Sequence, residues 1–276
     1  MKDKKFENLK RYGIKHSLRV LGKRLGLKVN MKFQYPDTDI KAKVNFNYLG
    51  FLWEQLHFRE TESNEFKFIR SKVQQGDVIF DIGAFIGTHS ILFSNLVDDK
   101  GKVYCFEPDT KVFEILKNNI KMNKLNNVII EKIGISNKSG ESKLNLFKEG
   151  GKSLSSLLFT QKEQNPNYEI IKTSTLDDYC ENNNIVPNGI KIDVEGAETL
   201  VIEGAQNLIE KYSPWIILEF HGHFMSEKER ISNWNFITKE ANKILFVEGE
   251  SSKYSYGMEI HDTLDCEKGV LVYIEY

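Results

Sequence analysis

Residues Val78 to Thr88 read Val-Ile-Phe-Asp-Ile-Gly-Ala-Phe-Ile-Gly-Thr, an apolar run that passes through two glycines straight into a second apolar stretch. Val78, Ile79, Phe80 and Ile82 leave almost no polar face, which is the pattern of a strand covered on both sides in a parallel sheet. His89 to Leu96, with Ile91, Leu92 and Leu96, reads as a helix. A buried strand followed at once by a helix needs a sharp turn. Gly83 can take backbone angles that other residues resist, and Gly87 allows close approach of the backbone where the helix opens. Such a segment commits the chain to an open α/β sheet, and it places Asp81 at the carboxyl end of its strand, the edge at which these sheets bind ligands.

Glycine spacing narrows the kind of ligand. A dinucleotide fingerprint needs glycines at 83, 85 and 88, but Phe85 and Thr88 stand at two of those positions. The form is Asp-x-Gly-x-x-x-Gly, which resembles the first motif of methyltransferases that use S-adenosylmethionine. A plain strand-to-helix turn has the same appearance, so the next strand matters. Lys102 to Phe106 ends in Glu107-Pro108-Asp109, twenty residues past Gly87. A carboxylate at Glu107 can accept hydrogen bonds from both hydroxyls of a ribose, whereas Asp109 suits a cap on a helix from Thr110 to Lys121.

Two further strands are expected to end at the same edge. Ile190 to Glu198 reads Ile-Lys-Ile-Asp-Val-Glu-Gly-Ala-Glu, with three carboxylates within six residues. Gly196 and Ala197 allow a close turn into a helix, so Asp193 and Glu195 can face a cleft while Glu198 serves as a helix-dipole partner. Trp215 to Glu219 leads into Phe220-His221-Gly222-His223. Histidine titrates near neutral pH, which makes His221 a candidate general base, although a loop histidine can equally be solvated. The histidines with Asp193 and Glu219 could also assemble a divalent metal site; whether a metal is bound is left open.

With 276 residues and 40% hydrophobic content the chain can bury one sizeable core. We expect a domain over 67–276 preceded by a helical and hairpin extension over 1–66. Lysine and arginine number 38 against 39 acids, a net charge of -1, so no global field favours nucleic acid. Cys105, Cys180 and Cys266 are widely spaced, which speaks against disulfides or zinc and for a reducing cytoplasm. The first thirty residues lack a signal peptide's apolar core, and no segment approaches a membrane span. Ile14, Leu18, Leu21 and Leu25 form a stripe with Lys15, Arg19, Lys23 and Arg24 largely off it. Such a helix either packs on the domain or makes weak peripheral contact with a membrane. Lys32 to Tyr35 and Ile40 to Phe46 alternate like strands around Pro36-Asp37, and Phe66, Ile69 and Val73 suggest a helix. Asn127 to Ile133 reads as the third sheet strand, with Gly134-Ile135-Ser136 as the loop at its end and Ile135 beside an adenine. Ser142 to Phe147 begins an alternating strand, and Lys148 to Asn167 reads as a long polar loop, either mobile surface or a lid.

Asp81-Ile82-Gly83-Ala84-Phe85-Ile86-Gly87, Phe106-Glu107-Pro108-Asp109, Thr175-Leu176-Asp177-Asp178 and Lys191-Ile192-Asp193-Val194-Glu195-Gly196-Ala197-Glu198 together resemble the FkbM family of methyltransferases. The last motif, with the Leu-Asp-Asp segment ahead of it, is the most particular to that family. The resemblance implies a Rossmann-like, mostly parallel sheet of seven strands and S-adenosylmethionine-dependent O-methylation of a sugar, glycan or natural-product hydroxyl. It implies a cofactor site of Asp81, Gly83, Ala84, Gly87, Glu107, Pro108 and Ile135, and a proton acceptor among Asp193, Glu195 and His221. Phe85 stands where the family often has Asn and is expected to pack. Asp177 is expected to brace its loop. The alternatives are a non-catalytic binding protein on the same fold and a nicotinamide-dependent oxidoreductase, the latter opposed by the glycine spacing. The acceptor and the oligomeric state are not readable from the sequence.

Overall fold

The computed structural model describes residues 29–35, 38–46, 64–149, 152–157, 167–249, 255–260 and 269–276. The stripe from Ile14 to Leu25, the Pro36-Asp37 turn and Cys266 lie outside them. The chain divides into two units, Met1–Glu62 and Ser63–Tyr276. In the first, β1 (Val29–Gln34) and β2 (Lys41–Phe46) pair antiparallel with Met31 opposite Val44 and Phe33 opposite Ala42. Ala42 and Val44 share one face and Lys41 and Lys43 the other, as a period of two requires.

The second unit opens with α1 (Asn64–Lys72), β3 (Val78–Ile82), α2 (Thr88–Val97), β4 (Lys102–Phe106), α3 (Thr110–Asn123) and β5 (Val128–Glu131). It continues through β6 (Gly134–Ile135), β7 (Gly140–Glu149), β8 (Lys152–Ser156), β9 (Asn167–Ser174) and α4 (Leu176–Asn183). Then come β10 (Gly189–Ile192), α5 (Glu198–Glu203), α6 (Gln206–Tyr212), β11 (Trp215–Phe220), a 3-10 turn (Gly222–Phe224), α7 (Glu227–Thr238), β12 (Lys243–Gly249) and β13 (Val270–Glu275).

Seven strands form the main sheet in the order β12-β13-β11-β10-β3-β4-β5. β5, β4, β3, β10 and β11 are parallel, and β13 runs antiparallel to both β11 and β12. The fold is therefore the expected α/β architecture with a mostly parallel seven-stranded sheet. Its chain path matters for function. From β3 it travels outward through β4 to β5, then returns to lay β10 on the other side of β3. That reversal opens a crevice at the carboxyl ends of β3 and β10, the topological switch point. Ile79, Phe80, Ile82, Ile190, Ile192, Ile216 and Leu218 are buried, as strands covered on both faces must be. Phe80 and Phe106 meet edge to face at 5.4 Å, and Phe106 meets Tyr179 of α4 at 4.9 Å.

Two expectations change. Gly134-Ile135 is a short strand, paired parallel with Thr173 and Ser174 of β9, rather than a loop. Part of the anticipated polar loop over 148–167 is also strand: β8 pairs antiparallel with β7, and β7 with β9. Backbone pairing, which polar residues join as readily as apolar ones, made these strands without an apolar alternation to announce them. Residues 158–166 lie outside the described set. No described helix is long and apolar enough to cross a membrane.

Helix ends show how the Leu-Asp-Asp motif is used. Thr175 Oγ1 caps α4 by accepting from the Asp178 N–H at 2.9 Å. Asp177 reaches out of that helix to the start of α6, which has no side-chain cap of its own. Its carboxylate accepts from the N–H groups of Leu208 at 2.8 Å and Asn207 at 3.1 Å, and from Asn207 Nδ2 at 2.9 Å. Asp177→Ala is expected to lower stability by about 1–2 kcal/mol in urea denaturation, the loss typical of a removed cap, and an unchanged midpoint would deny the carboxylate this bracing role.

Candidate active site

The turn after β3 is fixed by backbone contacts that only glycine permits. Gly83 has φ +76, and a Cβ there would lie 1.8 Å from the Asp193 carbonyl oxygen. Gly83 and Ala84 donate their N–H groups to the Phe106 carbonyl at 3.0 and 3.1 Å, and Gly87 donates back to Ala84 at 2.8 Å. Gly87, with φ 88, caps α2. Asn119 Nδ2 of α3 donates to the Ile86 carbonyl at 2.8 Å, so the loop is held from β4, α3 and the loop after β10. Phe85 is itself left-handed, φ 52.

Glu107 joins this turn to the end of β4. One carboxylate oxygen accepts from the Phe85 N–H at 2.9 Å and the other from the Asp109 N–H at 2.9 Å. The residue is 5% exposed. Burial pushes its carboxyl up to about 8, with the two N–H donors opposing the rise. Asp109 caps α3 through the N–H groups of Lys111 and Val112, as its position suggested. Pro108 between them is half-buried, and the Ile135 side chain is buried in the core cluster that includes Phe106 and Tyr179.

Asp81 is fully buried; it accepts from Ser90 Oγ at 2.6 Å and lies 3.7 Å from Lys191 Nζ. Lys191 is the register partner of Asp81 across β3 and β10 and is 2% exposed, with Asp193 Oδ2 at 3.2 Å. Burial would lower the Lys191 pKa, but Asp193 and Asp81 outweigh it and raise it. Sequence reasoning passed over Lys191, although a lysine between Ile190 and Ile192 in a doubly covered strand must find carboxylates. It also passed over Glu65 of α1 and His89 of α2, an ion pair at 2.9 Å. Burial opposes both charges there, yet each partner stabilises the other, raising His89 and lowering Glu65.

Beyond β10 the chain turns through Glu195 at φ 52 and Gly196 at φ 98 into α5. Glu198 lies in the first turn of α5, as a dipole partner would, but it is fully buried and does more. Its Oε1 accepts from the Gly196 N–H at 2.9 Å and lies 2.8 Å from His221 Nδ1. That contact orients an imidazole whose other nitrogen faces three carboxylates: Glu195 at 3.5 Å, Glu219 at 3.6 Å and Asp193 at 3.8 Å. Phe224 stacks on the ring at 16°. Burial would lower the His221 pKa, but Glu198 above all raises it well above the usual value. Asp193 is lowered: burial acts against it, and Lys191 and His221 prevail. Burial and the nearby Asp193 push Glu219 up to about 8, although 42% of its side-chain surface reaches solvent and screens part of that effect. Asp193, Glu195 and His221 are thus brought together, with Glu198 as the buried support that sequence spacing alone could not connect to His221.

One edge of the sheet therefore carries a glycine turn backed by a buried carboxylate and, across the switch point, an imidazole among carboxylates. The first arrangement suits a nucleoside and the second can align a hydroxyl and remove its proton. Hexuronic acid methyltransferase AglP of Haloferax volcanii is 29% identical over 161 residues, which cover 58% of this chain and 62% of that protein, so the match spans less than two thirds of that relative. Among solved structures, methyltransferase FkbM from Methylobacillus flagellatus KT is similar at 16% identity and TM-score 0.45, covering 82% of this chain and 54% of that one. A putative rRNA-methylase from Clostridium thermocellum is similar at 13% identity and TM-score 0.46, covering 76% and 92%. The model of the methyltransferase FkbM domain matches residues 81–256, a span that begins at Asp81 and takes in Glu107, Asp193, Glu198 and His221, and the chain belongs to the FkbM methyltransferase family.

Proposed function

We propose that this chain transfers a methyl group from S-adenosylmethionine to a hydroxyl oxygen of a sugar or related acceptor, with 67–276 as the catalytic domain and 1–66 as a lead-in. The observation that carries this reading is Glu107, a buried carboxyl that bridges the glycine turn and the end of β4. Each of its oxygens accepts one backbone N–H and keeps capacity for another hydrogen bond, which fits the two hydroxyls of a ribose. At Gly83 and Gly87 a Cβ would meet the Asp193 carbonyl oxygen at 1.8 Å and Leu116 Cδ1 at 2.6 Å, so glycine there keeps the turn packed tightly against its neighbours. Asp81, Gly83, Ala84 and Gly87 then form the wall for the methionine part, Pro108 sets the direction of Glu107, and Ile135 backs the adenine. The relative from Haloferax volcanii is named for a hexuronic acid, which supports a sugar acceptor. Cys105 and Cys180 are free and buried, consistent with a reducing cytoplasm.

When bound, S-adenosylmethionine supplies an electrophilic methyl group on a positively charged sulfur. The protein's part is to place an acceptor oxygen in line with that methyl, exclude water and take the hydroxyl proton. Asp193, Glu195 and His221 line the place where that oxygen must lie, and Glu198 holds the His221 ring in position through Nδ1.

Calorimetry should show S-adenosylmethionine binding to the full chain, weakened about 10- to 100-fold in Glu107→Ala, the range expected for two lost hydrogen bonds to a buried carboxyl; equal affinities would remove the basis of the assignment. His221→Ala is expected to lower methyl transfer to a sugar acceptor by about 100-fold or more while S-adenosylmethionine affinity holds, so a variant of normal turnover would place the chemistry elsewhere.

Glu107 also makes a prediction about pH. Its carboxyl sits near 4.5 when unfolded and about 8 when folded, so the folded protein holds more protons across that window and stability falls as pH rises through it. Between pH 5.5 and 8.5 the ligand-free protein should lose about 3 kcal/mol from this group, at about 1.4 kcal/mol per unit. Glu107→Gln lacks this loss, and parallel pH profiles of the two proteins in chemical denaturation would contradict it.

A further inference from the structure

We infer that Asp193, Glu219 and His221 bind a divalent cation at the acceptor end of the site. Their ligand atoms lie within 4.8 Å of one another. They project from the ends of two adjacent paired strands, since β10 and β11 are in register up to Ile192 and Leu218. Small movements of Glu219, the most exposed of the three, bring such a set to the distances a cation needs.

His221 supplies the independent reason. Its side chain is only 5% exposed, and Nε2 faces carboxylate oxygens of Glu195, Glu219 and Asp193 at 3.5, 3.6 and 3.8 Å, a spacing that leaves room for a cation among them. Glu198 lies 2.8 Å from Nδ1, so Nε2 is the nitrogen turned toward the carboxylates, where a cation can take the place of its proton. A buried carboxylate behind an imidazole whose far nitrogen faces anions is the outer support that metal-binding histidines use. The charges agree. Asp193, Glu195, Glu198 and Glu219 surround the ring, and the fixed cation Lys191 is already shared between Asp81 and Asp193. Asp193 divides its oxygens accordingly, Oδ2 toward Lys191 and Oδ1 toward His221.

Two carboxylates and one imidazole favour a borderline-hard ion of the Mn²⁺ kind over a thiolate-seeking one. The inference deepens the reading under Proposed function, because a cation here can hold an acceptor hydroxyl and lower its pKa, leaving Glu195 to take the proton.

The full chain, stripped with EDTA and titrated with MnCl₂, should remove free Mn²⁺ from the electron paramagnetic resonance signal at one equivalent per chain. Glu219→Gln and Asp193→Asn should each weaken that binding at least about tenfold, while Asp178→Asn, an exposed carboxylate away from the cluster, should bind as the parent does. Melting curves identify any variant that fails to fold; Glu219, half exposed, is the substitution least able to disturb the core. No Mn²⁺ uptake at millimolar concentration, or equal uptake by the parent and Glu219→Gln, would leave the cluster as a metal-free imidazolium–carboxylate network and overturn the inference. Calorimetry with S-adenosylmethionine in EDTA separates the two readings. Cofactor binding without Mn²⁺ uptake defeats the metal alone, and Mn²⁺ uptake without cofactor binding defeats the methyl-transfer reading alone.

Discussion

The site depends on a lysine that has almost no contact with water. Lys191 lies between Asp81, its register partner on β3, and Asp193 at the end of its own strand. Taking an ammonium out of water costs several kcal/mol, and that cost is offset only because two carboxylates accept it at the one place where the sheet divides. Removing the lysine would leave the buried Asp81 without its ion-pair partner. The ion-pair set thus ties β3 to β10 just below the crevice, so that the turns beyond them diverge from a common base.

Above that base the site is built from groups whose ionisation is unfavourable unless something answers it. Glu107 is buried among backbone donors, and Glu219 stands close to Asp193. Left-handed Phe85 and Glu195 add backbone strain, on the order of 1–2 kcal/mol for a non-glycine residue. Left-handed residues also close helices elsewhere, at Asp98, Lys124, Asn184 and Ser213, but the carboxyls raised by burial, Glu107 and Glu219, both lie at this edge. Such clustering is the usual mark of a functional site, where stability is given up for groups aimed at a ligand.

The central β-turn-α unit was legible because each of its signals is local: an apolar run, glycines at the turn and an acid at the next strand's end. Asp109 as a cap follows from the same short range, whereas the hold of Glu107 on the Phe85 N–H, 22 positions back, does not. What escaped reading depends on contacts across the chain. Glu198 and His221 are 23 positions apart and meet only after α5, α6 and β11 are laid down. Glu65 and His89 sit on different helices, and neither neighbourhood reveals the other. In the sheet formed by β6, β9, β7 and β8, the alternation of β7 was readable, whereas β6 and β8 are held by backbone pairing with weak alternation and looked like loop. Lys191 is a different case, since its burial was implied by its neighbours and only its partners had to be found.

The two halves of the site are not independent. Gly83 of the turn proposed to hold the cofactor packs so closely on the Asp193 carbonyl that a single added carbon would overlap it. Asp193 in turn carries the carboxylate that faces Lys191 on one side and His221 on the other. A displacement of the glycine turn must therefore move the backbone from which the acceptor-side cluster is hung. In-line transfer is sensitive to about an ångström of misplacement. In the proposed reaction, direct backbone contact between the two turns would let one element position both the cofactor's methyl and the acceptor's oxygen.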